Sequence, residues 1–252
     1  MPRRAARYRR IVLVAAALVP PTALLVPGAS GATPVLGVER AASVAAVTAV
    51  RGARPDVVVV VAPSRDAPVR MTGRLHPSLA AAGVDDARLG WVPRATYGRG
   101  PAVLVDDVPA AVGILLLDRA GWTGPVEVAG VGMAPVPDLR RTGAELVADR
   151  DAALLLVGGL SARRGPDGPL ATDERAAVLD DATVNDLGDL GPAARERLGA
   201  VPAQVAFELA ISAWAPLQVL LGAAPPERPD TVVHHVSAPF GATYACVSWR
   251  WT

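Results

Sequence analysis

The sequence predicts an α/β fold: a mostly parallel sheet with helices on both sides and an antiparallel strand pair at the carboxyl terminus. Short apolar runs alternate with helix-like stretches, and the runs are apolar at almost every position. Strands that helices cover on both faces have this continuous apolar character. Apolar residues make up 51% of the 252 residues, enough for a sizeable core, and no long linker or repeat divides the chain. We therefore expect one domain over residues 11–252, after a basic extension over residues 1–10.

Apolar runs bounded by Gly, Pro or charged residues predict the strands. The five consecutive valines of Val57–Val61 are the clearest example. The last two runs flank a short turn at Pro239-Phe240-Gly241, which favours an antiparallel pair. The predicted strands are Ile11–Leu18, Val57–Val61, Arg88–Val92, Val126–Val131, Ala152–Val157, Val232–Val236 and Thr243–Trp249.

Longer stretches rich in Ala, Leu and charged residues predict the helices. Asp106 or Asp107 can cap one of them, because Pro109 then falls in the first turn, where proline is tolerated. The predicted helices are Glu39–Arg51, the capped helix that ends at Arg119, Asp138–Ala148, Thr172–Leu187 and Pro202–Ala213, with a new turn at Pro216 after Trp214.

Composition excludes several function classes. All 25 basic residues are arginine, which excludes a lysine Schiff base, a PLP-lysine enzyme and a P-loop with its lysine. Cys246 is the only cysteine, so an internal disulfide and a multi-cysteine metal site are excluded. Five arginines lie in residues 1–10, while the rest holds 20 arginines against 24 acids. The net charge outside residues 1–10 is therefore negative, which argues against a broad basic face, so we expect no nucleic-acid partner.

The amino terminus has two interpretations. A basic start, an apolar run to Val26 and the small residues Ala29-Ser30-Gly31 are typical of a secretory signal peptide, which would make the protein exported. Pro20-Pro21 interrupts that run, and the run is too short for a membrane span. The alternative makes Ile11–Leu18 a buried parallel strand.

Gly158–Gly165 is the segment most suggestive of a site. It follows the carboxyl end of a buried strand, where open α/β sheets place their sites, and Arg163 and Arg164 can hold an anion. Ser64 and Arg65 follow the valine strand and are expected near the same crevice. The alternative is a solvated turn with exposed arginines.

The other motifs are weaker. Gly130-Val-Gly132 lacks the third glycine of a dinucleotide fingerprint. His234 and His235 are adjacent in a strand, so they point to opposite faces and are poorly placed to share a metal. His76 lies in a loop-like segment, where we expect it to be exposed.

Six segments, in their order and spacing, carry a resemblance to a known family. They are Leu18–Pro27, Val57–Ser64, Val108–Gly121, Leu154–Arg164, Ala215–Ala223 and Ala238–Tyr244. Through these segments, from about Val12 to Trp249, the chain resembles the class III extradiol ring-cleavage dioxygenases, in a divergent actinobacterial form of their catalytic beta-subunit superfamily. The resemblance implies a three-layer α/β/α domain with Ile11–Leu18 as its first strand, and hence a cytoplasmic protein.

The resemblance also implies where a metal would be bound. Active relatives hold Fe(II), or another divalent metal, with two histidines and a carboxylate. Their first two histidine positions fall on Pro21 and Ser64 here. Their Gly-Asp-Leu-Ser-His-like segment is Gly158–Ala162, without the acid and the imidazole, and their late carboxylate falls near Glu208 or Ile211.

We therefore expect a catalytically degenerate member without a metal or other cofactor, whose strand-end crevice binds a small anionic ligand or a partner. The alternative is a surviving Fe(II)-dependent oxygenase of catechol-like rings that uses Glu208 with His234 or His235. The residues expected to line the crevice are Thr22, Ser64, Arg65, Ser161, Arg163 and Arg164.

Overall fold

The computed structural model describes residues 13–65, 68–91, 100–168 and 170–251. The basic extension over residues 1–10 and the first two residues of the strand predicted at Ile11–Leu18 lie outside these ranges. Among the helices of the described ranges, none combines the length and apolar character that crossing a bilayer requires.

Within the described ranges, nine strands form one large and one small sheet. The small sheet consists of two parallel strands, β4 and β5. In chain order the strands are β1 (Leu13–Val19), β2 (Val57–Pro63), β3 (Val69–Met71), β4 (Arg74–Pro77), β5 (Ala102–Val105), β6 (Val126–Val131), β7 (Ala152–Val157), β8 (Asp230–Ser237) and β9 (Tyr244–Arg250).

The large sheet has seven strands in the order β3-β6-β2-β7-β1-β9-β8. The four central strands β6, β2, β7 and β1 are parallel to one another. At one end β9 pairs antiparallel with β1, and β8 pairs antiparallel with β9; at the other end β3 pairs antiparallel with β6. This confirms the predicted mostly parallel sheet and its antiparallel carboxyl-terminal pair.

Helices cover both faces of this sheet, which gives three layers. One face packs against α1 and α2, and the other against α3 to α7. Asp107 caps α2 by accepting a hydrogen bond from the Ala110 amide, with a donor–acceptor distance of 2.9 Å. The helices are α1 (Gly37–Gly52), α2 (Val108–Arg119), α3 (Val136–Leu146), α4 (Glu174–Asp189), α5 (Pro192–Ala200), α6 (Ala203–Glu208) and α7 (Trp214–Ala223).

The central strands are apolar throughout because each residue contacts one of two cores. In β7, Leu155 and Val157 face α1 and α2, whereas Leu154 and Leu156 face the opposite helical layer. All four are completely buried. Burial of a side chain of this size stabilises the fold by about 1.5–3 kcal/mol, so the alternation of faces fixes the register of the sheet.

Several predicted boundaries differ from the structure. The prediction of a strand near Arg88–Val92 is wrong at its start, because Arg88 belongs to the 3-10 turn Asp86–Arg88. Val92, at the other end of the predicted strand, lies outside the described residues. Asp85 begins that turn by accepting a hydrogen bond from the Ala87 amide, a local bond that competes with strand pairing. The helix predicted over Pro202–Ala213 ends at Glu208, and α5 and the strands β3, β4 and β5 were not predicted.

Helices α3 and α7 pack with almost no side chain between them. A Cβ on Gly143 of α3 would lie 2.0 Å from the carbonyl oxygen of Val219, and one on Gly222 of α7 would lie 2.0 Å from that of Arg140. Any larger residue at either position would push the two backbones apart.

We expect Gly143→Ala to lower the free energy of unfolding by about 1–3 kcal/mol, because the added methyl group overpacks the contact between α3 and α7. Urea unfolding followed by circular dichroism measures this change. Gly52→Ala is the matched control, since no heavy atom lies within 4 Å of a Cβ there. Equal unfolding midpoints for the two variants would contradict this account of the packing.

Candidate functional site

The loops that follow the parallel strands meet at one edge of the sheet. Since β7 lies between β2 and β1, its loop Gly158–Arg164 separates Ser64, which follows β2, from Thr22, which follows β1. A Cβ built on Gly159 would lie 3.7 Å from Pro21 Cδ and equally far from a ring carbon of Tyr244. The structure therefore brings the three predicted loops to the edge where open α/β sheets place their sites.

The first half of this central loop is enclosed. Gly158, Gly159, Leu160 and Ser161 are all buried. On one side the Ala213 amide donates to the Gly159 carbonyl oxygen, and on the other the Leu160 amide donates to the Thr243 carbonyl oxygen, both at 2.9 Å. The loop is thus held between the α6–α7 connection and the turn that precedes β9.

A buried carboxylate, Asp180 of α4, fastens this loop. The Ser161 hydroxyl donates to Asp180 Oδ2 at 2.6 Å, the Ser161 amide donates to Oδ1 at 3.0 Å, and the Thr243 hydroxyl donates to Oδ2 at 2.5 Å. Asp180 is 1% exposed, and Arg164 Nη1 lies 3.9 Å from its Oδ2. Ser161 was expected to line the crevice, but it is completely buried and its hydroxyl is bound to Asp180.

The two neighbouring arginines differ in what they bind. Arg164 Nη2 donates to Asp181 at 2.8 Å, so its charge is balanced locally. Arg163 Nη1 donates to the Ala171 carbonyl oxygen at 2.9 Å, and its Nε is enclosed without a hydrogen-bond partner in the described part of the chain. Both side chains are partly exposed, whereas Arg65 is exposed. Arg163 is therefore the better placed of the pair to receive an anion.

Two strained turns support the central loop. Ala210, between α6 and α7, and Phe240, before β9, have φ values of 53° and 52°, a left-handed conformation that costs a non-glycine residue energy. The Ala162 amide donates to the Leu209 carbonyl oxygen, and the Arg164 amide donates to that of Gly241, both at 3.0 Å. Gly241 also has a φ of 71°, and a Cβ there would lie 2.5 Å from Gly168 Cα. The loop is therefore held by backbone contacts on both sides, from the α6–α7 connection and from the turn before β9.

Thr22 and Tyr244 form a second polar contact at this edge. Thr22 Oγ1 accepts a hydrogen bond from the Leu24 amide at 3.3 Å, which begins a 3-10 turn. Its side chain also lies near the phenol of Tyr244. Burial raises the pKa of Tyr244 above its ordinary value, and the neighbouring Thr22 side chain acts in the opposite direction, so the phenol is neutral near pH 7.

Behind Tyr244, the acid Glu39 of α1 lies against the sheet. It is 8% exposed, and its Oε1 accepts a hydrogen bond from the Ser237 hydroxyl at 2.8 Å and lies 3.7 Å from His235 Nε2. Cys246 is buried nearby, 3.4 Å from the Ser43 hydroxyl, and burial raises the pKa of its thiol to about 11. Such a thiol is protonated at neutral pH and unreactive as a nucleophile.

Sequence reasoning missed the buried acids Glu39 and Asp180, although a signal for each is present. Glu39 lies on the helical stripe that also holds the buried Ser43, Ala46, Val47 and Val50. Asp180 lies on the buried stripe of α4 that contains Ala176, Thr183 and Leu187. An acid within a stripe that faces the sheet has to find hydrogen-bond donors, which marks it as structurally or functionally important.

The residues at the strand ends do not fit a ferrous ion. The side chains of Pro21 and Ala162 have no lone pair to give to a metal, and Ser161 is bound to Asp180. Within residues 13–65, 68–91, 100–168 and 170–251, no group of three or more His, Cys, Asp and Glu side chains is placed to hold a metal ion.

The replacement ligands that we considered have other partners. Glu208 accepts hydrogen bonds from Arg175 and Gln204, each at 2.9 Å. His234 Nε2 is hydrogen-bonded to Ser248 at 2.8 Å, and burial lowers the pKa of His234. His235 lies beside Glu39. His76 is exposed, as predicted, but it lies on β4 and not in a loop.

We expect Asp180→Ala to lower the free energy of unfolding by about 2–4 kcal/mol, because the hydroxyls of Ser161 and Thr243 would lose their buried acceptor. Thermal and urea unfolding measure the loss. The control Asp181→Ala removes the ion pair between Arg164 and the Asp181 carboxylate, which is 65% exposed. We therefore expect this control to change the free energy of unfolding by less than about 1 kcal/mol. Equal losses of stability in the two variants would contradict the conclusion that Asp180 anchors the central loop.

Comparison with known proteins supports the fold and assigns no activity. No protein-family model and no functionally curated protein matches the chain. The crystal structure of the uncharacterized protein JW3007 from Escherichia coli K12 is similar, with a TM-score of 0.55 over 93% of this chain and 99% of that one. The two sequences are 13% identical. A likeness at this identity shows a shared α/β architecture alone.

Proposed function

We propose that the protein is a non-catalytic binding member of the class III extradiol dioxygenase superfamily, and that its strand-end crevice takes a small anionic ligand. The family membership rests on the resemblance between the ordered segments of this sequence and those of that superfamily. The ligand class rests on the side chains at the strand ends, which are hydroxyl and guanidinium groups and not imidazoles.

One observation carries the ligand class. Arg163 uses one of its five N–H donors on the Ala171 carbonyl oxygen, while its Nε is enclosed and lacks a partner among the residues that the structure describes. A guanidinium group with unused donors binds a carboxylate or phosphate in a forked geometry. The Arg163 side chain is partly exposed but its Nε is enclosed, so an anion would bind at the remaining Nη donors.

The surroundings of Arg163 suit a small ligand. The loop that carries it is fixed by backbone hydrogen bonds to Leu209 and Gly241, so binding would need little ordering of the backbone. Asp173 donates its amide to the Arg163 carbonyl oxygen at 3.0 Å, which fixes the other end of the loop. Ser64 and Arg65, on the neighbouring strand-end loop, are the further candidates for contact.

The proposal predicts that the purified protein binds an anion through Arg163. A ligand present at about ten times its Kd should raise the melting temperature by about 3–6 °C. Inorganic phosphate and malonate are suitable probes, compared with sodium chloride at matched ionic strength. We expect Arg163→Gln to abolish the shift, and Arg88→Gln, whose side chain is 82% exposed, to retain it.

Two results would refute this assignment. The first is a shift of the same size in Arg163→Gln and in the wild type. The second is equal stabilisation by chloride, which would reduce the effect to ionic strength.

The proposal also predicts weak binding of iron. Protein purified after growth with added Fe(II) and measured by elemental analysis should contain far less than one iron per chain, because the strand ends offer no imidazole ligands. The variant Ser64→His is a useful second sample for the same iron measurement, since it places one imidazole at an expected ligand position. Stoichiometric, chelator-resistant iron in the wild type would support the alternative oxygenase that uses Glu208 and His234 or His235.

A further inference from the structure

The two edges of the large sheet are built differently. The β3 edge is three residues long, and its central Arg70 forms an ion pair with Glu127 of β6, at an N–O distance of 3.0 Å. The β8 edge is eight residues long, and Asp230, at its first position, is the only Asp, Glu, Lys or Arg residue in it. Short, charged edge strands discourage pairing with another chain, and long apolar ones favour it.

Apolar side chains are exposed on both faces of β8. Val232 is 52% exposed, Val233 is 42% exposed and Val236 is 36% exposed. Val233 and Val236 stand opposite Val247 and Ala245 of β9, which belong to the core beneath α3 to α7. Val232 precedes Val233 and so points to the other face of the sheet. Helix α1 contacts this strand through Glu39 and Ser237, and Gly188 of α4 lies beside Val233, but these contacts leave the three valines partly exposed.

A partner that covers valines on both faces at once has to lie beside the strand. A helix or a flat surface would cover one face, whereas an added strand continues the sheet and places its own side chains next to both sets. Among the residues that the structure describes, no strand pairs with the outer side of β8, so its backbone groups would gain hydrogen bonds in the same step. The geometry therefore favours a strand as the occupant.

We propose that this strand is β8 of a second copy of the chain, paired antiparallel about a two-fold axis. In that arrangement the two copies of Asp230 lie at opposite ends of the contact, so no like charges meet. The valines of one copy lie beside those of the other, and the assembly closes at two subunits because both copies use the same edge. This inference does not depend on the proposed ligand.

The contact is small, which sets the expected affinity. The β8–β9 register shifts between Val233 and His235, so the bulge at His234 interrupts the outer edge once. A contact built on one bulged strand is smaller than the roughly 1,600 Å² of a standard interface. We therefore expect a reversible dimer with a Kd of about 1–100 µM.

Sedimentation velocity at chain concentrations from about 1 to 300 µM tests the inference, since this range spans the expected Kd. The wild type should change from the mass of one chain to that of two. We expect Val232→Lys, which puts a charge on the edge, to weaken the dimer at least tenfold. Val178→Lys is the control, because Val178 is 75% exposed on α4, in a separate apolar groove against α6.

Amide hydrogen exchange gives a second readout that does not depend on a variant folding. Residues 231–237 should become more protected at high protein concentration, while the exposed faces of α4 and α6 should not change. The inference is overturned if the wild type is monomeric throughout this range, or if Val232→Lys dimerises as tightly as the wild type. It is equally overturned if Val178→Lys alone disrupts the dimer, since that would move the interface to the groove.

Discussion

Burial of the sheet on both faces is the constraint on which the rest of the molecule depends. Four parallel strands lie between two helical layers, so their loops enter a region where polar groups cannot rely on water. The carboxylate of Asp180 satisfies this requirement for the central loop, because it accepts bonds from one amide and two hydroxyls of segments that are far apart in sequence. Buried polar groups need such partners, and a network that is fully satisfied gives the loop one defined conformation.

The same constraint explains which parts of the fold the sequence predicts. The strands β2 and β7 are apolar at nearly every position because both of their faces are covered, and their pattern is visible in the sequence alone. The strands β3 to β5 are short and partly exposed, and β3 and β5 pair with partners that are distant in the chain, so no local pattern marks them. Near Arg88, the side chain of Asp85 bonds to the backbone and produces a turn in place of the expected strand.

For the site, the topology was predictable and the chemistry was only partly so. The position of Thr22, Ser64 and Arg163 at one edge follows from the rule that parallel strands end at the same side of a sheet. Which groups remain available there depends on tertiary contacts. Ser161 is turned inward to Asp180, Arg164 is neutralised by Asp181, and Arg163 keeps unused donors. A serine or arginine in a loop sequence does not reveal such differences, because they arise from α4.

The contact between Gly168 and Gly241 has a consequence for how this region can evolve. It joins two loops backbone to backbone, so it makes no demand on the side chains that lie between Arg163 and Gly168. Substitutions there can alter charge and shape without loosening the anchor, provided that the glycines themselves are kept. The scaffold thus separates the residues proposed to contact a ligand from those that maintain the architecture, so the proposed contacts can change among descendants at little cost in folding.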